Sequence, residues 1–387
     1  MKRIPAFKAL DIFRGFAALW VVMDHCCDRW LASGNMQYLS NPLYAFSIKG
    51  GLGVTLFFVI SGYCITSAAY SALVSGKSLG RYCFERVRRI YPPYVAAMIL
   101  TALSGAAIIY ANAHHLIPEV NHLAELPLQL RFWIANLLLL QYELKSPMIN
   151  VVFWSLCYEI SFYAFIGLFL QGAKWIAAKR GLRAGTVFFI CCVGITTMGT
   201  LSYLMLTSNS IFPFDLWHQF SMGGLLFFLI DLKPGTVENY TAGFRRIVLA
   251  NVVPVVLMMA IFGLFWQLGE VSAGFASTRV RCFTCLFFTL ILMVLRRVDE
   301  KFSNLRVLTP FMWLGAFSYS LYLVHPIVIP YVDILSRRAG LDGHLYWIAF
   351  CLQMIVAVFF GRVFYVLIER RFISKRQVQR LTAEHVA

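Results

Sequence analysis

Runs of about 20 apolar residues, each long enough to cross a bilayer core, recur along the whole chain and limit its possible folds more than any other feature. Ten meet or approach that length: 12–30, 50–74, 91–111, 150–171, 185–207, 212–230, 247–267, 280–295, 310–335 and 344–369. In hydrocarbon every backbone N–H and C=O must be satisfied internally, so such runs read as helices. Charged residues make up only 13% of the chain and hydrophobic ones 60%, about half the charge of a soluble domain, and mean hydropathy is +0.71. Those values exclude a disordered chain, an ordinary water-soluble enzyme and a soluble body on one anchor. The expectation is an all-α membrane protein, a polytopic bundle of about ten transmembrane helices. Residues 1–375 read as one integral-membrane domain and 376–387 as a short basic cytoplasmic tail. The apolar segment 132–142 is too short for a span and is expected to be re-entrant or interfacial. No cleavable signal peptide is expected, because the first run carries Arg14, Asp24 and His25.

The formal net charge of +16 has three possible sources: nucleic acid, anionic lipid, or the positive-inside bias of loops. An even number of crossings puts both termini on one side. The loops on that side carry 24 of the 34 Lys and Arg, against 8 on the other. A three-to-one asymmetry that alternates loop by loop is topology, and it places both termini in the cytoplasm. No nucleic-acid partner is then needed. Most of the ten cysteines sit inside apolar runs, where thiols behave as small hydrophobes. Cys282 and Cys285 form a single C-x-x-C with no second pair, which reads as helix packing rather than zinc or redox chemistry.

Ionisable side chains at bilayer depth cost at least ~2.5–3.5 kcal/mol each, so every one requires a reason. In the first run Arg14 and His25 are eleven residues apart. On a helix that is three turns plus about 20°, so both lie on one face, about 16.5 Å apart along the axis. The topology puts Arg14 near the cytoplasmic end and His25 near the outer end. An imidazole there can be a base, a nucleophile or a metal ligand. Metal is the weakest of the three, since no second His or Cys stands at ligand spacing on this helix. His25 as an interfacial residue bonded to a headgroup or a carbonyl is the structural alternative. Asp28 is placed either to orient the ring or to lie in solvent.

Further polar groups follow. Gly50, Gly51 and Gly53 permit a tight turn or a close backbone approach, and Ser61 with Gly62 makes a polar, flexible point in the second run. Arg86, Arg88 and Arg89 form a basic cytoplasmic segment before a helix expected to start at Pro92. Paired guanidiniums suit phosphate, whether of lipid or of a phosphorylated cofactor. In the fourth run Ser155 and Glu159 share a face with Phe162 and Tyr163, and an intramembrane carboxylate implies a cavity, a proton role or an ion pair with Arg14 or Arg362. In the ninth, Ser318, Tyr322 and His325 fall at i, i+4 and i+7, and Pro326 is expected to kink the helix. His325 is open to two readings, a packing residue or a participant in chemistry. Arg362 and Glu369, seven apart, are expected as internal counter-ions.

At these residues the chain resembles the acyltransferase-3 family of integral-membrane acyltransferases, over roughly residues 8–372. Arg-x10-His is Arg14 and His25 within LDIFRGFAALWVVMDH. The glycine and serine element is GGLGVTLFFVISGY. RxxR-I-x-P is met by Arg86, Arg89, Ile90 and Pro92, and WSLxxExxFY by Trp154, Ser155, Leu156, Glu159, Phe162 and Tyr163. SYSLYLxHP runs from Ser318 to Pro326. The resemblance implies acyl-CoA, most simply acetyl-CoA, as cytoplasmic donor and no metal. It implies a hydroxyl of a cell-surface glycan or its lipid-linked precursor as acceptor, in the inner membrane of a bacterium. It further implies His25, Arg14 and Glu159 as catalytic, and Arg86, Arg89 and Ser61 as donor-binding. Trp154, Ser155, Tyr163, Ser318, Tyr322 and His325 become candidates for lining the substrate path. Glu369-Arg370-Arg371 departs from the family's closing E-x-P, and the extracytoplasmic hydrolase-like domain of some members is not expected here.

Two chemistries fit. In one, His25 takes a proton from the acceptor hydroxyl; in the other it is itself acylated and relays the group. A glycan or lipid flippase without acyl transfer is the rival class, suited by intramembrane charges and a proline-broken helix. That reading requires internal pseudo-symmetry, which the sequence does not display, and leaves Arg86 and Arg89 without a reason. A signalling receptor would leave the even span count and Glu159 unexplained.

Overall fold

The computed structural model describes residues 7–31, 42–115, 129–205, 212–231, 278–341 and 345–373, with backbone alone at 28–31, 198–205 and 278–279. Every regular element among the described residues is helical. The expected span 247–267 and the side chain of Asp28 lie outside them. In chain order the helices are α1 (Ala9–Leu31), α2 (Pro42–Ser47), α3 (Leu52–Val74), α4 (Leu79–Ala113), α5 (Leu130–Leu138), α6 (Trp154–Arg180) and α7 (Ala184–Met205). They continue with α8 (Trp217–Ile230), α9 (Thr278–Leu295), α10 (Asp299–Ser303), α11 (Thr309–Gly315), α12 (Ser318–Arg338) and α13 (Tyr346–Leu367). Among the described residues five stretches are long and apolar enough to cross a membrane: Pro42–Val74, Leu79–Ala113, Val151–Arg180, Ser318–Arg338 and Tyr346–Arg371. Ala184–Thr197, Trp217–Ile230 and Val280–Leu295 are shorter apolar helices.

Two expected helix boundaries need correcting. α4 begins at Leu79 and runs through Pro92 and Pro93. The prolines free the carbonyls of Arg88 and Arg89, where Arg88 is exposed, so the lost bonds fall in a polar stretch. The run 310–335 is two helices, because Gly315 ends α11. Ala316 and Phe317 then turn on bonds to the carbonyls of Trp313 and Leu314, both 3.2 Å. α12 runs through Pro326 and Pro330 to Arg338. The segment 132–142 gives only the nine residues of α5, closed by Leu139 in the left-handed conformation at φ 57°.

The chain divides into two compact units. The first holds 1–17, 51–85 and 158–312. At its centre α3 is apolar round its circumference and is therefore buried on most sides. It packs along α8. A Cβ on Gly62 would strike the carbonyl of Phe220, and one on Gly223 the carbonyl of Val59. Between lipid-immersed helices there is no hydrophobic drive, and small residues that let backbones touch are a main source of adhesion. Phe58, Phe162 and Phe220 stack around this contact, with ring centres 4.3 and 4.8 Å apart. The start of α1 is held by Asp299, whose carboxylate accepts from the amides of Lys8 (3.0 Å) and Ala9 (2.9 Å). Asp231 accepts from Arg296 at 2.6 Å and from the Tyr63 hydroxyl.

The second unit holds 18–50, 86–157 and 313–387. Here α12 and α13 form the main pair, and Gly361 lets α13 approach the backbone of Leu321, which a Cβ would meet at 2.9 Å. Glu369 is buried and accepts from the amide and hydroxyl of Ser320 at 3.2 and 2.5 Å. Arg362 lies over the rings of Trp313, Phe317 and Tyr365, 5.2–5.9 Å from their centres. The expected Arg362–Glu369 counter-ion pair is thus replaced by a hydroxyl partner and a ring cluster. The outer faces of α4 and α13 are apolar yet open, with Leu103 63% and Ile355 65% exposed. Side chains of that kind belong against lipid tails.

Candidate active site

α12 carries Ser318, Tyr322 and His325, and the structure separates their tasks. The Ser318 hydroxyl donates to the carbonyl of Gly315 at 3.1 Å and so closes the turn before its own helix. Tyr322 reaches outward: its hydroxyl is 2.8 Å from that of Ser155 and donates to the Val152 carbonyl at 3.1 Å. Ser155 bonds the same carbonyl at 3.1 Å. Trp154, the first residue of α6, is half-buried beside them. His325 is wholly buried, and its Nδ1 bonds the Leu321 carbonyl at 3.1 Å.

On α1, half-buried His25 faces this group. Its ring centre is 5.1 Å from that of His325, the planes tilted by 33°. Tyr322 and His325 are themselves 5.9 Å apart. Four residues singled out from three motifs therefore meet in the second unit: His25, Ser155, Tyr322 and His325. Gly50 contributes as a close approach, since a Cβ there would strike the Trp20 carbonyl on α1. Behind Ser155, a buried amide network fixes residues 139–150. Asn136 Oδ1 accepts from Gln141 (3.1 Å) and from the amide of Ile149 (3.0 Å), and Cys157 donates to Gln141 at 3.1 Å. Sequence reasoning passed over Asn136 and Gln141; an uncharged amide inside an apolar run was the available signal.

A second cluster lies in the first unit. Arg14, only 17% exposed at its side chain, pairs with Asp11 at 3.3 Å, and its Nη2 donates to Cys64 Sγ at 3.3 Å. Glu159 and Tyr163 lie within its electrostatic reach, and Ser61 donates to Glu159 at 3.4 Å. Arg14, Ser61, Glu159 and Tyr163 are thus brought together. The ion pair of Arg14 is with Asp11, and Glu159 acts on the guanidinium through its field. Asp11, three residues before Arg14, was visible as a helix-surface pair; Cys64 was not singled out. These two bonds occupy two of the five guanidinium N–H donors.

Arg86 and Arg89 are half-buried and one turn apart within α4. Tyr319 on α12 donates to the carbonyl of the neighbouring Ile90 at 2.9 Å. Cys282 lies 3.8 Å from His218 Nε2, and Cys285 is buried in α9. No three His, Cys, Asp or Glu among the described residues are grouped to hold a metal ion.

A family model described as an acyltransferase domain matches residues 7–366. A protein of Staphylococcus aureus strain COL named "Putative O-acetyltransferase SACOL0978" is 24% identical over 371 residues, covering 92% of this chain and 56% of that protein. The chain thus spans about half the length of these staphylococcal relatives. The O-acetyl transferase of Shigella phage Sf6 is 22% identical over 377 residues, covering 95% of this chain and 96% of that one. The acyltransferase MdmB of Streptomyces mycarofaciens is 26% identical over 201 residues, half of this chain and 48% of its own. No solved structure matches.

Proposed function

The chain belongs to the acyltransferase-3 family, and from that premise we propose that it is a membrane-embedded O-acyltransferase. It moves an acyl group, acetyl in the simplest case, from cytoplasmic acyl-CoA to a hydroxyl of a cell-surface glycan or its lipid-linked precursor, in the inner membrane of a bacterium. The observation that carries the reading is the half-buried His25 on an apolar helix, set 5.1 Å from a second imidazole. An ionisable ring kept at such a place serves chemistry before it serves packing.

In this reading His25 takes the proton of the acceptor hydroxyl as its oxygen attacks the thioester, a role often worth ~10²–10⁴-fold; an acyl-histidine relay uses the same ring. Arg14 keeps N–H donors beyond those given to Asp11 and Cys64, which suits it to a negatively charged group of the donor. Glu159 and Ser61 shape the field around that guanidinium. Arg86 and Arg89 suit the phosphates of the donor, as paired guanidiniums do. Tyr322 and Ser155 border the path of the acceptor.

The test uses membranes from cells expressing the full chain, incubated with labelled acetyl-CoA, followed by mass spectrometry of the surface polysaccharide. Wild type is expected to label the glycan and His25→Ala, inserted to the same level, to lose that labelling. Full labelling by His25→Ala would remove the central assignment, and no labelling by wild type would favour a flippase.

A further inference from the structure

Resting on the acyltransferase reading, we infer that His325 is a positioning residue for His25: its Nε2 accepts a hydrogen bond from one ring nitrogen of His25 and so fixes which nitrogen of His25 carries the lone pair. His325 is 0% exposed. Its Nδ1 faces the Leu321 carbonyl at 3.1 Å. A carbonyl only accepts, so Nδ1 is the protonated nitrogen and Nε2 of the neutral ring holds a lone pair. Nε2 is buried without a hydrogen-bond partner. A packing histidine satisfies both nitrogens, and a lone pair left bare in an apolar interior is costly enough to need a purpose.

A neighbour able to supply that bond is His25, whose ring is the one set against that of His325. Ring centres 5.1 Å apart can bring facing nitrogens to about 2.9 Å, an ordinary hydrogen-bond length. Turning the half-buried His25 ring so that one N–H points at His325 Nε2 forms the bond. The Leu321 carbonyl then acts on His325, and His325 on His25, as a carboxylate orients the imidazole in hydrolytic triads. During transfer the acceptor O–H proton passes to the other ring nitrogen of His25, the one carrying the lone pair, while the oxygen bonds to the thioester carbonyl carbon. The carbon–sulfur bond breaks and the proton ends on the departing thiol. Throughout, the His25 N–H stays bonded to His325 Nε2, strengthening as His25 gains charge.

Two substitutions separate this role from packing. Glutamine places an acceptor near the Nε2 position, whereas asparagine can satisfy only the Leu321 carbonyl near Nδ1. With labelled acetyl-CoA and the endogenous glycan of native membranes, His325→Gln is expected to keep roughly a tenth of wild-type kcat and His325→Asn under a hundredth. The KM for acetyl-CoA should be unchanged in both. Asparagine equal to or better than glutamine, at matched abundance, overturns the inference. Nitrogen-15 NMR of histidine-labelled wild-type protein tests it without any variant: a coupling across an N–H···N bond to unprotonated His325 Nε2 is expected, and a protonated Nε2 overturns it. Absence of labelling by wild type falls on the acyltransferase reading itself and is thereby distinct from either result.

Discussion

Replacing Asp299 with alanine removes a carboxylate that caps α1 from 290 residues away. Its two oxygens accept from Ala9 N at 2.9 Å, in buried surroundings, and from Lys8 N at 3.0 Å, partly buried. These amides belong to the first turn of α1, which has no intrahelical partner for them. A hydrogen bond to a charged group contributes ~1.5–3 kcal/mol. The half-open Lys8 bond falls at the low end, because water can replace it. The Arg296 contact, 3.8 Å away, adds little. The expected loss is about 3 kcal/mol, close to 100-fold in the equilibrium that docks the start of α1. Asparagine keeps one accepting oxygen without the charge and should lose about half of that. The assay is amide hydrogen exchange of the full chain in lipid nanodiscs, read over residues 8–14, with thermal unfolding alongside. Asp299→Ala should exchange about 100-fold faster there. Because α1 carries Arg14 and His25, acyl transfer should fall as well. Wild-type protection in the alanine variant, or equal losses in alanine and asparagine, would refute the capping argument.

Gly223→Ala places a methyl group against the Val59 carbonyl and the Tyr63 amide, both backbone, and should cost at least ~1–3 kcal/mol. Gly224→Ala meets only the Thr66 hydroxyl, which can rotate, so its melting temperature in detergent should stay closer to wild type; the reverse order would count against a backbone contact between α3 and α8. Tyr322→Phe and Ser155→Ala remove the two ends of one buried 2.8 Å bond. A double-mutant cycle on unfolding is expected to show coupling of ~1 kcal/mol, and strictly additive losses would show that the bond contributes nothing.

Much of the secondary structure was legible. The starts of α1, α3, α7 and α13 fall within three residues of the apolar runs, because a helix in lipid satisfies its own backbone and needs only length and apolarity. Where the reading erred, a local signal was given more force than it has. Proline was taken to start α4, yet that helix begins at Leu79 and passes through Pro92 and Pro93. Hydropathy also carried one run across Gly315, where the chain turns. The individual candidate residues were conspicuous too, since an ionisable group in an apolar run stands out whatever it touches.

The grouping of those residues was not legible. Spacing joined Arg14 to His25 on one helix, but the tertiary structure gives Arg14 to Asp11, Cys64 and the field of Glu159, and sets His25 beside His325, 300 positions along the chain. The sequence by itself determined that this is a helical membrane protein and which ionisable side chains stand inside its apolar runs. Only the fold decided which of them meet. The physical reason is that apolarity specifies the solvent of a helix but not its neighbour. Among lipid-immersed helices the neighbour is chosen by glycine-sized gaps and single buried bonds between distant segments, such as Gly223 on Val59 and Ser320 on Glu369.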